Sequence, residues 1–97
     1  MPTYAWLARF GADFAALSPT QQQAFLAAVV EFVEDLRAGR GFRSALPIKG
    51  VRGAPGIFEM TWAPDERATF QYGDPVVADK PHIIWRRVGT NSVLRQP

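Results

Sequence analysis

Between Gly56 and Val88 the chain reads GIFEMTWAPDERATFQYGDPVVADKPHIIWRRV. Apolar and polar positions alternate through Ile57–Trp62, with Phe58, Met60 and Trp62 on one side and Glu59 and Thr61 on the other. After Ala63-Pro64-Asp65-Glu66 the alternation resumes over Arg67–Tyr72. Ala68, Phe70 and Tyr72 then face one way, and Arg67, Thr69 and Gln71 the other. A period of two on both sides of a short turn predicts a pair of half-buried strands. In His82–Val88, Ile83, Ile84 and Trp85 are consecutive, which predicts burial on both faces and so a central strand. Strict alternation groups Arg87 with Ile83, Trp85 and Gly89, and sends Arg86 the other way.

Upstream the period changes. Phe10, Phe14 and Leu17 recur at helical spacing, after a TYAWL segment (residues 3–7) that reads equally as a strand or a helix start. Ser18-Pro19-Thr20-Gln21 is a helix-start signal: a serine cap, proline in the first turn, and glutamine three residues after the cap. The helix is predicted to run to about Ala38, with Phe25, Val29, Phe32, Val33 and Leu36 as its apolar stripe. Gly39 to Gly56 reads as a long loop pinned by Leu46, Ile48 and Val51, and Gly73–Pro81 as a second loop. Gly89–Ser92 is expected to be a turn or bulge and Val93-Leu94 a short last strand. The tail Arg95-Gln96-Pro97 is not expected to be ordered by its own contacts. The sum is one α+β domain over residues 1–97. A helical hairpin packs on one face of a small antiparallel sheet of three or four strands, and the other, polar face is open.

Composition narrows the chemistry. The chain has no cysteine and one histidine, His82, so thiol chemistry and thiolate metal sites are excluded, and no metal or other cofactor is expected. No apolar run is long enough for a membrane span and no leader-like start is present, which together lead to an expectation of a cytoplasmic protein. Net charge is only +2, but it is unevenly placed. Arg37, Arg40, Arg43, Lys49 and Arg52 follow one another without an intervening acid, and Arg86, Arg87 and Arg95 form a second group. Brought together, these would make a surface suited to a phosphate backbone; apart, they are solvated loop cations.

Four features in order resemble the RelE/ParE superfamily of bacterial toxins from toxin–antitoxin pairs. They are the SPTQ helix start, the Lys49-Gly50-Val51-Arg52-Gly53 loop, Phe58-Glu59 leading to Trp62 and Arg67, and the ending Ile84-Trp85-Arg86-Arg87-Val88-Gly89-Thr90. The resemblance covers nearly the whole chain. It implies a cognate antitoxin as partner, and one of three activities: ribosome-dependent mRNA cleavage, gyrase inhibition, or a non-toxic binding role on the same fold.

For cleavage, the resemblance implies 2′-hydroxyl attack on phosphorus, needing a base, an acid and cations for the phosphorane charge. Lys49 matches the family's loop lysine and Arg67 its strand arginine. Arg52 and Arg87 are further phosphate-contact candidates, with Arg43 beside them in the basic loop. Glu59 is a candidate base, or else the ion-pair partner that orients Arg67. The chain departs from the family at Asn91, where relatives carry His or Arg, and at Leu94, where an aromatic is usual.

Overall fold

The structure, a computed structural model, describes residues 2–97. In chain order it comprises β1 (Thr3–Trp6), α1 (Ala8–Ala16), α2 (Pro19–Ala38), β2 (Ile48–Gly50), β3 (Phe58–Ala63), β4 (Glu66–Gly73), β5 (His82–Thr90) and a 3₁₀ helix (Asn91–Arg95). The strands form one five-stranded sheet in the order β1-β5-β4-β3-β2. All neighbours are antiparallel except β1, which runs parallel to β5 with Thr3 opposite His82 and Trp6 opposite Trp85. Thr3–Trp6 of the TYAWL segment is therefore a strand, and Ile48–Gly50 adds a second one inside the expected long loop. The α+β hairpin-on-sheet architecture is as read from the pattern.

The start of α2 forms as its residues dictate. The Ser18 side chain accepts the Gln21 N–H, the Gln21 side chain accepts the Ser18 N–H, and proline occupies the first turn. Gly39 ends the helix in the left-handed conformation, at φ 67°. Ser18→Ala removes one of these reciprocal bonds and is expected to cost about 1 kcal/mol, read as a lower urea midpoint at unchanged slope.

Both helices pack on one sheet face. Phe25, Phe32, Met60, Ala68, Phe70, Ile83, Trp85 and Val88 are buried there, with Phe10 from α1 and Leu46 from the loop. Phe32 has ring centroids 5.1–5.4 Å from Phe42, Phe70 and Trp85, so the loop, the helix and the sheet meet on one side chain. Leu46 and Val51 are buried and pin the loop as expected.

Arg87 departs from strict alternation. Thr69 pairs with Arg87 but Phe70 pairs with Trp85, so Arg86 is the extra residue of a bulge. Trp85 and Val88, three apart, both reach the core, and Arg87 is placed opposite Thr69 rather than with Trp85. Beyond the end of β1, α1 covers the free edge of β5. Asp13 there accepts the Val88 N–H at 3.2 Å and pairs with Arg87 Nε at 2.6 Å.

Nor is the polar face fully open. Asn91–Arg95 is a 3₁₀ helix, not a strand, and Val93 is buried. A Cβ on Gly89 would lie 3.2 Å from Val93 Cγ1, so glycine lets this turn settle close to the sheet. The tail is held as well: the Gln96 carbonyl accepts from Arg9 and Arg87, and a backbone oxygen of Pro97, the last residue, accepts from Thr69 and Arg86.

Candidate functional site

Register builds the site. Lys49 on β2 is opposite Glu59 on β3, Glu59 is opposite Thr69 on β4, and Thr69 is opposite Arg87 on β5. Directly opposed residues share a face, so these four side chains form one row across the sheet on the side away from the main core. Three strand spacings of about 4.8 Å set the two ends, Lys49 and Arg87, about 14 Å apart. Arg67 stands two residues from Thr69 along β4, on the same face and diagonal to Glu59.

Each charge in the row has a distinct environment. Glu59 is only 6% exposed, and among the described residues its one ion pair is with Arg67, Nε to Oε1 at 3.8 Å. That distance is an ion pair but not a hydrogen bond. Arg67 donates from Nη1 to the Glu66 carbonyl at 3.0 Å, while its Nε is buried with no hydrogen-bond partner. The expected Glu59–Arg67 pairing is present, and it is loose enough to leave donor and acceptor capacity on both groups. Arg87 is more tightly held. It donates from Nε and Nη2 to Asp13 and from Nη1 to the Gln96 carbonyl, and the Asp13 hydrogen bonds raise its pKa above the ordinary arginine value.

Lys49 and Arg52 are exposed and make no ion pair or side-chain hydrogen bond among the described residues. Arg43 does not join them. It pairs with Glu31, Glu34 and Asp35 on α2 at 2.9–3.3 Å, and its hydrogen bonds hold the Asp35 carboxyl below the usual carboxylate range. The carboxylates at 31, 34 and 35 lie on one helical face, so the basic loop closes back on an acidic stripe. This removes Arg43 from the continuous positive surface that the run of cations suggested.

Asn91 and Leu94 belong to the 3₁₀ helix, with Asn91 exposed and its N–H donating to the Asp65 carbonyl at 2.9 Å. His82 lies 2.7 Å from the Thr3 hydroxyl through Nδ1 and ties the β1–β5 pair together. Tyr72 is on the helix-side face, as alternation places it, but is 46% exposed.

Sequence reasoning did not single out Arg9, Asp13 or Thr69, and it placed Arg86 in a basic group without seeing the bulge at Arg86. The Trp-Arg-Arg-Val run carried a signal for the last: strict alternation sends Arg87 to the Trp85 face, so an inserted residue is needed to keep both Trp85 and Val88 inside. Asp13 is the one acid of α1, on a helix otherwise of small and apolar residues and one arginine.

The opposite side of the molecule is apolar. A concavity of about 450 Å³ lies between β1 and the helices, lined by Tyr4, Trp6, Phe10, Phe14, Leu26 and Val29 among others. Tyr4 and Trp6 stack at 5.7 Å and are more than half exposed.

Among the described residues no group of three or more His, Asp or Glu side chains is arranged to hold a metal ion. No helix is long and apolar enough to cross a membrane.

No protein-family model and no curated protein sequence matches the chain. Solved structures do. A metal-bound toxin from Helicobacter pylori superposes with a TM-score of 0.64 at 15% identity, over 95% of this chain and 97% of that one. The Escherichia coli DinJ–YafQ toxin–antitoxin complex gives 0.70 at 11% identity, over 96% of each chain. The RelB–RelE antitoxin–toxin complex of Methanococcus jannaschii gives 0.57 at 16% identity, over 93% of each. Near-complete coverage in both directions leaves no major element unmatched, and the chain has the fold of RelE/ParE-type toxins.

Proposed function

We propose that this protein is the toxin of a toxin–antitoxin pair and that it cleaves mRNA on the ribosome. The observation that carries the reading is the Lys49–Glu59–Thr69–Arg87 row with Arg67 beside it, on a fold shared with toxins. Glu59 acts as general base on the 2′-hydroxyl. It is screened from bulk water and faces a cation without being consumed by a hydrogen bond. Arg67 stabilises the charge that develops on phosphorus through its guanidinium, on a side chain that is 22% exposed. Lys49 and Arg52 hold neighbouring phosphates from the exposed end of the row, and Arg87, anchored by Asp13, bounds the other end. The Asn91 amide is too weak an acid to give up a proton, so the leaving oxygen takes its proton from water or from the ribosome.

A silencing antitoxin is the partner this reading requires. It has two surfaces to meet: the exposed Lys49 and Arg52, which favour acidic groups, and the apolar concavity under Tyr4 and Trp6.

The test is inducible expression followed by primer extension on translated messages. Cuts in phase with codons, absent from naked RNA, are the expected result. DNA damage without such cuts would instead favour gyrase inhibition. Growth unaffected by expression would leave a binding module on a toxin fold.

A further inference from the structure

The sheet has two free edges, β1 and β2. β2 is three residues long and carries Lys49, a charge of the kind that keeps strand edges from pairing. β1 has no such guard, because Thr3–Trp6 holds neither a charge nor a proline. Its inner side is fixed by β5: the Thr3 N–H donates to the Pro81 carbonyl and the Leu7 N–H to the Trp85 carbonyl, both at 3.0 Å. Backbone groups alternate in direction along a strand. Thr3, Ala5 and Leu7 therefore face β5, and the N–H and C=O groups of Tyr4 and Trp6 point outward. Among the described residues none of these four outward groups has a partner.

The side chains of the same two residues lie on the helix side, at the lip of the apolar concavity of about 450 Å³. Tyr4, Trp6, Leu26 and Val30 are each more than half exposed, and no charged side chain lines the concavity. Leu26 and Val30, four residues apart, share one face of α2.

We propose that this edge and concavity take a second copy of this chain, with the two β1 strands antiparallel about a two-fold axis at Ala5. Tyr4 of one molecule then lies opposite Trp6 of the other, twice. Each such pair exchanges two N–H···O=C bonds, so every outward group of both strands is satisfied and the sheet runs on to twice its width. On the helix side the aromatic rings meet as cross-strand pairs, and the two concavities close on each other with Leu26 and Val30 at the rim. On the other face the small Ala5 side chains meet in the close, non-hydrogen-bonded position. A charged strand from elsewhere finds no counter-charge here, whereas an identical uncharged edge needs none. Two aromatic side chains of roughly 150–250 Å² each, more than half exposed, come with Leu26, Val30 and the edge backbone to roughly 400–500 Å² per molecule. The pair buries roughly 800–1,000 Å², at the lower limit for a specific interface, which suits a weak and reversible dimer. The row from Lys49 to Arg87 is on the opposite sheet face and stays open in the dimer, so the inference does not depend on what that row does. An antitoxin reaching the same face competes with the second copy.

The isolated full chain is followed by sedimentation velocity over a concentration series. The average mass is expected to rise from 10.8 kDa towards twice that value. Over the same range the Tyr4 and Trp6 amides are expected to exchange with deuterium at least about tenfold more slowly. A chain still monomeric at about 0.5 mM overturns the proposal and leaves the face to a different protein. A dimer whose Tyr4 and Trp6 amides exchange as fast as the monomer's overturns it too, because such a dimer is built on another surface. Tyr4→Pro removes an outward donor and a ring without touching the bonds to β5. Leu26→Glu combined with Val30→Glu sets like charges across the axis and leaves the buried core alone. Each variant is expected to weaken association by at least about tenfold. Unchanged association in either folded variant overturns the proposal. If Tyr4→Pro does not fold, the α2 variant decides.

Discussion

If Glu59 is the proposed general base, Glu59→Gln is expected to lower ribosome-dependent cleavage by about 10²–10⁴-fold, the range for loss of a positioned general base. The substitution is nearly isosteric, and among the described residues Glu59 makes no side-chain hydrogen bond that the amide would lose; its ion pair to Arg67 is 3.8 Å long. The rate should therefore fall while the thermal midpoint changes little. Lys49→Ala is the companion measurement. Lys49 is exposed and has no ion pair among the described residues, so on the proposed reading its loss is expected to weaken RNA binding with little effect on stability. Arg67→Ala is less clean, because it strands a buried carboxylate and mixes catalysis with folding. Cleavage undiminished in Glu59→Gln would remove the base role and leave Glu59 as a support for Arg67.

Phe32→Ala is expected to destabilise the protein by about 3–5 kcal/mol. The ring is 1% exposed and touches the stacked Phe42, edge-on Phe70 and tilted Trp85. Truncation opens a void where three separate elements meet, and Phe42 loses the face that holds its loop. A domain of this size is stable by about 5–15 kcal/mol in total, so the variant should melt about 15–30 °C lower. Urea denaturation followed by tryptophan fluorescence measures the effect. A cost below about 1.5 kcal/mol would mean that the loop collapses into the space, and that the ring is not the keystone its contacts suggest.

What the chain revealed before its structure follows from the range of the forces involved. The start of α2 rests on bonds between residues three apart, and Ser18, Pro19 and Gln21 announce it fully. The β3–β4 hairpin is just as local, and Arg67 and Glu59 were assigned to their face correctly, whereas Lys49 was read as a loop residue and its strand was missed. The bulge at Arg86 was missed because alternation assumes an unbroken period. It shows only when the burial of Trp85 and of Val88 is required together. β1 was ambiguous because its only partner strand, β5, is met far along the chain. The 3₁₀ helix and tail were misjudged because docking stabilises them, through Val93 over Gly89 and through arginine donors, and not intrinsic propensity. Arg43 was counted as part of a positive surface because a run of cations says nothing of the acids that a loop folds back upon.

The parallel pairing of Thr3–Trp6 with His82–Trp85 has a consequence for synthesis. As the nascent polypeptide leaves the ribosome, its first strand has no mate until the fifth has been translated. The helical hairpin and the central antiparallel strands can assemble earlier, but closure of the sheet is a late, long-range step of the kind that slows folding. Arg87, on the far half of that same last strand, arrives no sooner. Until the fifth strand is made, neither the parallel edge of the sheet nor the row that ends at Arg87 can be complete.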